Sequence, residues 1–204
     1  MSQENTTLQI EQKTLQAQDA KSLHTIIASL GSYSTKEQRL HNLLTTLVQV
    51  TDAQLACVYE YQQARECLLL TTCSDQFLSI ESEVTIGPGE GFVGWSALTR
   101  QRLVLSKDAQ DDPRFLANPL VDISPLQAVI ILPLETAEHQ LRGVLCLQFN
   151  HPQLFTDQHD SLMETVTILV TMLIEQAQLQ ETLQDQQTLQ TALASLSQIS
   201  STGK

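Results

Sequence analysis

The sequence predicts an α+β domain on a central antiparallel sheet of about five or six strands. Helices pack on one face and a pocket-forming layer of loop and short helix covers the other. Three observations predict it. Two runs, Ala128–Leu134 and Gly143–Phe149, are apolar without strict alternation, as strands covered on both faces are. The short polar segment Glu135–Gln140 joins them as a hairpin loop, which makes them adjacent and central. Two further stretches, Leu40–Val48 and Leu162–Ile174, carry apolar residues at helical spacing.

Residues 1–34 read as a helical extension, rich in Gln, with Leu8, Leu15, Leu23, Ile26, Ile27 and Leu30 as its apolar positions. Gly31-Ser32-Tyr33-Ser34 breaks it. Ser34 or Thr35 caps a second helix that runs to about Val50, because Glu37 stands three residues after Ser34 in capping-box spacing. Leu40, Leu43, Leu44, Leu47 and Val48 form its stripe. Ala53–Tyr61 and Cys67–Cys73 form a hairpin across Gln62-Gln63-Ala64-Arg65. If the pairing is centred on that loop, Cys57 and Cys73 point to opposite faces of the sheet, a geometry that disfavours a disulfide between them. A polar loop over 74–83 leads to a short strand at Val84–Ile86.

Thr156 or Asp157 caps the last helix, which carries two stripes: Leu162, Val166, Leu169 and Leu173, and, offset around the axis, Met163, Val170 and Ile174. One stripe is enough to cover a sheet. The second therefore predicts a homodimer held through the terminal helices, since a monomer would leave it in water. The competing explanation is that the N-terminal helix, with Leu23, Ile26, Ile27 and Leu30, covers it within one chain. Beyond Glu175 the helix turns Gln-rich but keeps Leu179, Leu183, Leu189, Leu193 and Leu196, a coiled-coil pattern whose phase breaks between Leu183 and Leu189. Residues 177–204 thus read as a signalling helix that continues into an output domain of a longer protein.

The 204 residues carry a net charge of −12, a surface that repels nucleic acid and anionic membranes. Met1–Thr7 has neither the basic start nor the apolar stretch of a secretory signal. The run Val166–Ile174 is interrupted by threonines and falls short of the ~20 residues of a membrane span. A cytoplasmic location is expected, with no nucleic-acid or membrane partner. Cys57, Cys67, Cys73 and Cys146 show no paired spacing and read as buried thiols in a reducing compartment.

The most informative stretch is 84–149. A strand ends in Gly87-Pro88-Gly89-Glu90-Gly91-Phe92-Val93-Gly94-Trp95, where Gly89, Gly91 and Gly94 fit Gly-x-Gly-x-x-Gly and open a short helix. Leu103–Leu105 follows, then the loop Asp108-Ala109-Gln110-Asp111-Asp112-Pro113-Arg114-Phe115 and the paired apolar strands. This order resembles the GAF family of small-molecule sensor domains over residues 35–176, with a GAF/PAS-like sheet. The resemblance implies a regulatory module that binds a small molecule and passes its state through terminal helices. It places the pocket at Phe92, Trp95, Asp108, Phe115, Leu126 and Val129. Trp95 lines that pocket or sits in the core.

Other readings of the same residues are weaker. A dinucleotide site needs parallel β/α units around its glycine turn, whereas the neighbours here are hairpins. The carboxylates of 108–112 lack EF-hand spacing and read as a solvated acidic loop with Asp108 capping a turn. The five histidines make no ligand pair with a cysteine, none is marked as a haem ligand, and His151 and His159 fall at a solvent-facing strand-to-helix junction. No catalytic residue, metal ligand or cofactor is indicated. Within the family, bilin-binding members carry a cysteine after the Asp-Pro-x-Phe loop, and Leu116–Leu126 has none. Free-methionine-sulfoxide reductases carry cysteines in and after the glycine turn. Val93 stands there instead, and no cysteine lies between Cys73 and Cys146. A ligand-free dimerisation scaffold is the alternative to the sensor.

Overall fold

The structure is a computed structural model that describes residues 21, 24–28, 35–75, 84–117 and 124–201, with the side chains of 157–158 and 192–201 left aside. Helix α1 spans Lys36–Thr51, and Thr35 caps it by accepting a hydrogen bond from the Gln38 amide at 3.3 Å. Strands β1 (Leu55–Gln62), β2 (Cys67–Cys73) and β3 (Thr85–Ile86) follow, then helix α2 (Gly91–Thr99) and β4 (Leu103–Leu105). A single 3-10 turn at Ala109–Asp111 precedes β5 (Ala128–Glu135), β6 (Leu141–Phe149) and the long helix α3 (Asp157–Ser201).

The six strands form one antiparallel sheet in the order β3-β2-β1-β6-β5-β4. β5 and β6 are adjacent as expected; β6 shares the centre with β1, and β5 lies one strand from the edge. Alternation along the strands divides the core in two. Ala56, Val58, Ile130, Leu132, Leu145 and Leu147 meet α1 and α3, while Leu55, Cys57, Tyr59, Val129, Ile131 and Cys146 meet α2 and its loops. The apolar runs in β5 and β6 are thus explained by burial on both faces.

Three expectations need correction. The first concerns the β1–β2 register. The turn is Gln63–Glu66, with Glu66 at φ 51°, so Gln62 pairs with Cys67, two residues later than a turn centred on Gln62–Arg65 would give. A bulge between Val58 and Tyr59 adds one more residue. A shift of three is odd, so it exchanges the faces and sets Cys57 directly opposite Cys73.

The second concerns α3. Met163, Val166, Val170 and Ile174 are all buried in the helix-side core, and Leu169 and Leu173 pack against it. α1 and the sheet together cover both stripes, so the double stripe is no warrant for a dimer. The exposed apolar residues of α3 are others: Ile168, Met172, Leu179, Leu183 and Leu189. Ile26 of the N-terminal extension is fully buried in the same core, while Ile27 is exposed. The rest of that extension's stripe and its Gly31–Ser34 break lie outside the described residues.

The third is small. Cys67 is only half-buried, and His151 and His159 are half-buried as well, each edge-on to a phenylalanine (Phe149 and Phe155).

α3 is 45 residues long, about 67 Å at 1.5 Å per residue. By length and composition its stretch His159–Thr191 is apolar enough to cross a membrane. Leu162, Met163, Val166, Val170 and Ile174, however, serve the domain's own core, and Asp160, Glu164, Glu175, Glu181 and Asp185 interrupt the stretch.

Candidate functional site

The site begins at the glycine turn. Gly89 and Gly91 sit at φ +88° and +60°, where a side chain is strained. The turn closes on itself: the Gly89 amide donates to the Gly94 carbonyl at 2.7 Å, Glu90 to Gly87 at 3.1 Å, and Gly94 to Glu90 at 2.9 Å. The Gly87 amide donates to Glu90 Oε2 at 2.9 Å. These four amides are spent inside the loop, which holds the turn closed. What the turn does is deliver Phe92 and Val93 of α2, both buried, onto the sheet.

The acidic loop acts as a clamp. The Asp112 carboxylate accepts from Arg114 Nε and from an Arg114 terminal nitrogen, each at 2.8 Å, and from the Arg114 amide at 2.9 Å. The guanidinium lies 4.9 Å from the Trp95 ring centroid, a cation–π contact. Phe115 then packs on Phe92 with ring centroids 6.0 Å apart. The hydrogen bond from Arg114 holds the Asp112 carboxyl below its ordinary pKa, and the same bond raises that of Arg114. Asp108 opens the 3-10 turn at φ 52° but makes no side-chain cap, contrary to expectation; its carboxylate lies exposed, 3.8 Å from Lys107. Ala109 ties the loop to β5 through its amide and the Gln127 carbonyl at 2.9 Å.

Between this layer and the sheet lies a cavity of about 230 Å³. Tyr59, Val129, Cys146 and Gln148 form its floor, and Gly91, Phe92 and Val93 one wall. Phe115, Leu116, Ala117 and Leu126 close it above, with Thr85, Ile86 and Glu90 at one end. Of the residues chosen from sequence, Phe92, Phe115, Leu126 and Val129 are brought together here. Trp95 and Asp108 are not among the lining residues: Trp95 stacks under Arg114 and packs at the margin of the core.

The rest of the floor, Tyr59, Cys146 and Gln148, was missed. Cys146 and Gln148 stand two apart on β6 and share a face with Tyr59 of β1, and Gln148 donates weakly to the Cys146 sulfur at 3.9 Å. The signal was present as one glutamine inside a run otherwise apolar on both faces. A strand-buried polar residue needs a reason. Among the described residues, no group of three His, Cys, Asp or Glu side chains is placed to hold a metal ion.

A two-faced antiparallel sheet, with helices behind it and a cavity under a loop-and-helix layer in front, defines a pocket-bearing α+β fold. Residues 34–175 match the family model described as GAF domain, and the chain belongs to that family. Its fold is similar to the GAF domain of a Coxiella burnetii phosphoenolpyruvate-protein phosphotransferase (TM-score 0.71, 18% identity, 81% of this chain and 98% of that one). The GAF domain of the corresponding Acinetobacter protein is similar too (0.69, 18% identity, 80% and 97%). So is the free methionine-R-sulfoxide reductase of Neisseria meningitidis in complex with its substrate (0.63, 16% identity, 77% and 88%). None of the curated proteins matches the chain.

Proposed function

We propose that this domain is a non-catalytic sensor that binds a compact small molecule in the cavity and passes its state along α3. The cavity itself carries the reading. A ligand-free scaffold has no use for an opening of about 230 Å³ with a mostly apolar lining and polar groups from Tyr59, Glu90 and Gln148. The fitting ligand is apolar over most of its surface, with a hydrogen-bonding group for the buried Gln148 amide. Binding that favours one seating of Phe92 and Phe115 shifts the population of sheet positions, and β6 and β5 transmit that shift to α3 packed behind them. A second copy and an output domain beyond the helix are its partners in this reading, in a cytoplasmic protein.

Reduction of methionine sulfoxide is the second reading, since three proteins of similar fold are free methionine-R-sulfoxide reductases. Val93 in the glycine turn, with no cysteine between Cys73 and Cys146, argues against it. Native mass spectrometry of the purified chain, followed by thermal shift against small-metabolite mixtures, tests the sensor. Binding is expected, and Val129→Trp, which fills the floor, is expected to abolish it. No retained or added molecule that shifts the melting point favours the scaffold, and turnover of free methionine sulfoxide favours the reductase.

A further inference from the structure

Three cysteines stand in one row across three strands, and the sensor reading makes no use of their thiol chemistry. Cys73, Cys57 and Cys146 are register partners on β2, β1 and β6, and all three face the pocket side of the sheet. The Cys57 and Cys73 sulfurs lie 2.8 Å apart as free thiols. The Ser74 amide donates to the Ala56 carbonyl, which makes 56 and 74 the hydrogen-bonded pair. Cys57 and Cys73 therefore occupy the neighbouring non-hydrogen-bonded pair, where Cα atoms approach to about 4.5 Å and side chains come closest. That separation lies within the range a disulfide spans. The pair is 0% and 5% exposed, closed to bulky reagents, but Cys146 lines the cavity floor beside Cys57.

We propose that Cys57 and Cys73 form a redox-active dithiol, oxidised to a cross-strand disulfide by hydrogen peroxide that enters through the cavity and reacts first at Cys146. The Cys146 thiolate attacks one peroxide oxygen and the O–O bond breaks, leaving a sulfenic acid at Cys146 and, with a proton, one water. The Cys57 thiol displaces the sulfenic hydroxyl as a second water and forms a Cys57–Cys146 disulfide. The Cys73 thiolate then attacks the Cys57 sulfur and releases Cys146, which takes back a proton. In sum, two thiols and one peroxide give one disulfide and two waters, with two electrons passing from the pair to the peroxide. Oxidation fixes β1 to β2 at the residue whose carbonyl, that of Cys73, lies 2.8 Å from His41 Nδ1 on α1, so the helix side of the sheet feels it.

The test treats the folded, reduced full chain with hydrogen peroxide, quenches in acid, alkylates in denaturant and maps the peptides. Cleavage after Arg65 separates Cys57 from Cys73. The Cys67→Ala background removes the other cysteine of the Cys73 peptide, and far-UV circular dichroism confirms that each variant is folded. A Cys57–Cys73 link with the mass of two lost hydrogens, reversed by dithiothreitol, is expected. Cys146→Ala should slow its formation at least tenfold, and Cys73→Ala should stop the reaction at a Cys57–Cys146 link. Oxidation that reaches only unlinked sulfenic or sulfonic acids overturns the proposal. So does a Cys57–Cys73 link that forms as fast in Cys146→Ala as in the native chain.

Discussion

Adding one methyl group at Gly94 tests whether the glycine turn is the hinge pin of the pocket layer. A Cβ there meets the Gly87 carbonyl well inside any permitted contact, and the Gly89 amide nitrogen at 3.1 Å. Both neighbours are backbone, held by the 2.7 Å bond from Gly89 to Gly94 and the bonds between Gly87, Glu90 and Gly94. The turn can relieve the clash only by moving away from α2. Overpacking of this kind costs about 1–3 kcal/mol, and weakening the turn's closing hydrogen bond adds about 0.5–1.5 kcal/mol. Alanine's better helix propensity returns about 1 kcal/mol. The net is a destabilisation of about 2 kcal/mol, roughly a thirtyfold loss in the folding constant. For a chain of this size it lowers the melting point by about 4–8 °C. Gly87→Ala is the matched control. Its new methyl meets only the Glu90 carboxyl, at 3.1–3.3 Å, a flexible group that can swing away, so its cost stays below about 1 kcal/mol. Urea unfolding followed by circular dichroism and by Trp95 fluorescence compares the two. Equal midpoints for Gly94→Ala and Gly87→Ala would refute the reasoning.

Other outcomes follow from the same geometry. Val170→Glu places a charge at a fully buried position and should unfold the domain, at a cost above about 4 kcal/mol. Met172→Glu and Leu179→Glu, on exposed positions, should leave circular dichroism unchanged and split any dimer in sedimentation velocity. A native chain that is monomeric at tens of micromolar would remove that stripe from consideration as a seam. The depressed Asp112 carboxyl contributes stability that is fully present above the ordinary carboxylate pKa near 4 and lost as pH falls through its lower folded value. Trp95 fluorescence should therefore report a loosening of the Arg114 stack below about pH 4. That acid step should vanish in Asp112→Asn, whose Trp95 is already unclamped at neutral pH.

Much of this protein was legible locally. The Thr35 cap, the Leu40–Leu47 stripe, the apolar runs of β5 and β6 and the glycine turn each announce themselves within a dozen residues, because capping, helical periodicity and left-handed backbone are short-range physics. From them came the α+β class and the single antiparallel sheet, while four of the cavity's lining residues came from the resemblance to the GAF family. Long-range placement decided the rest. Whether Cys57 faces Cys73 depends on one positive-φ residue in a turn and one bulge, and strand faces alternate with every residue, so an odd shift of register reverses the answer. Whether a second apolar stripe on α3 signals a partner depends on how deeply the helix beds between α1 and the sheet, which no pattern in α3 records. Tyr59 and Gln148, 89 positions apart in the chain, line one cavity only because β1 pairs with β6, and that pairing is what made a floor out of residues with no common motif.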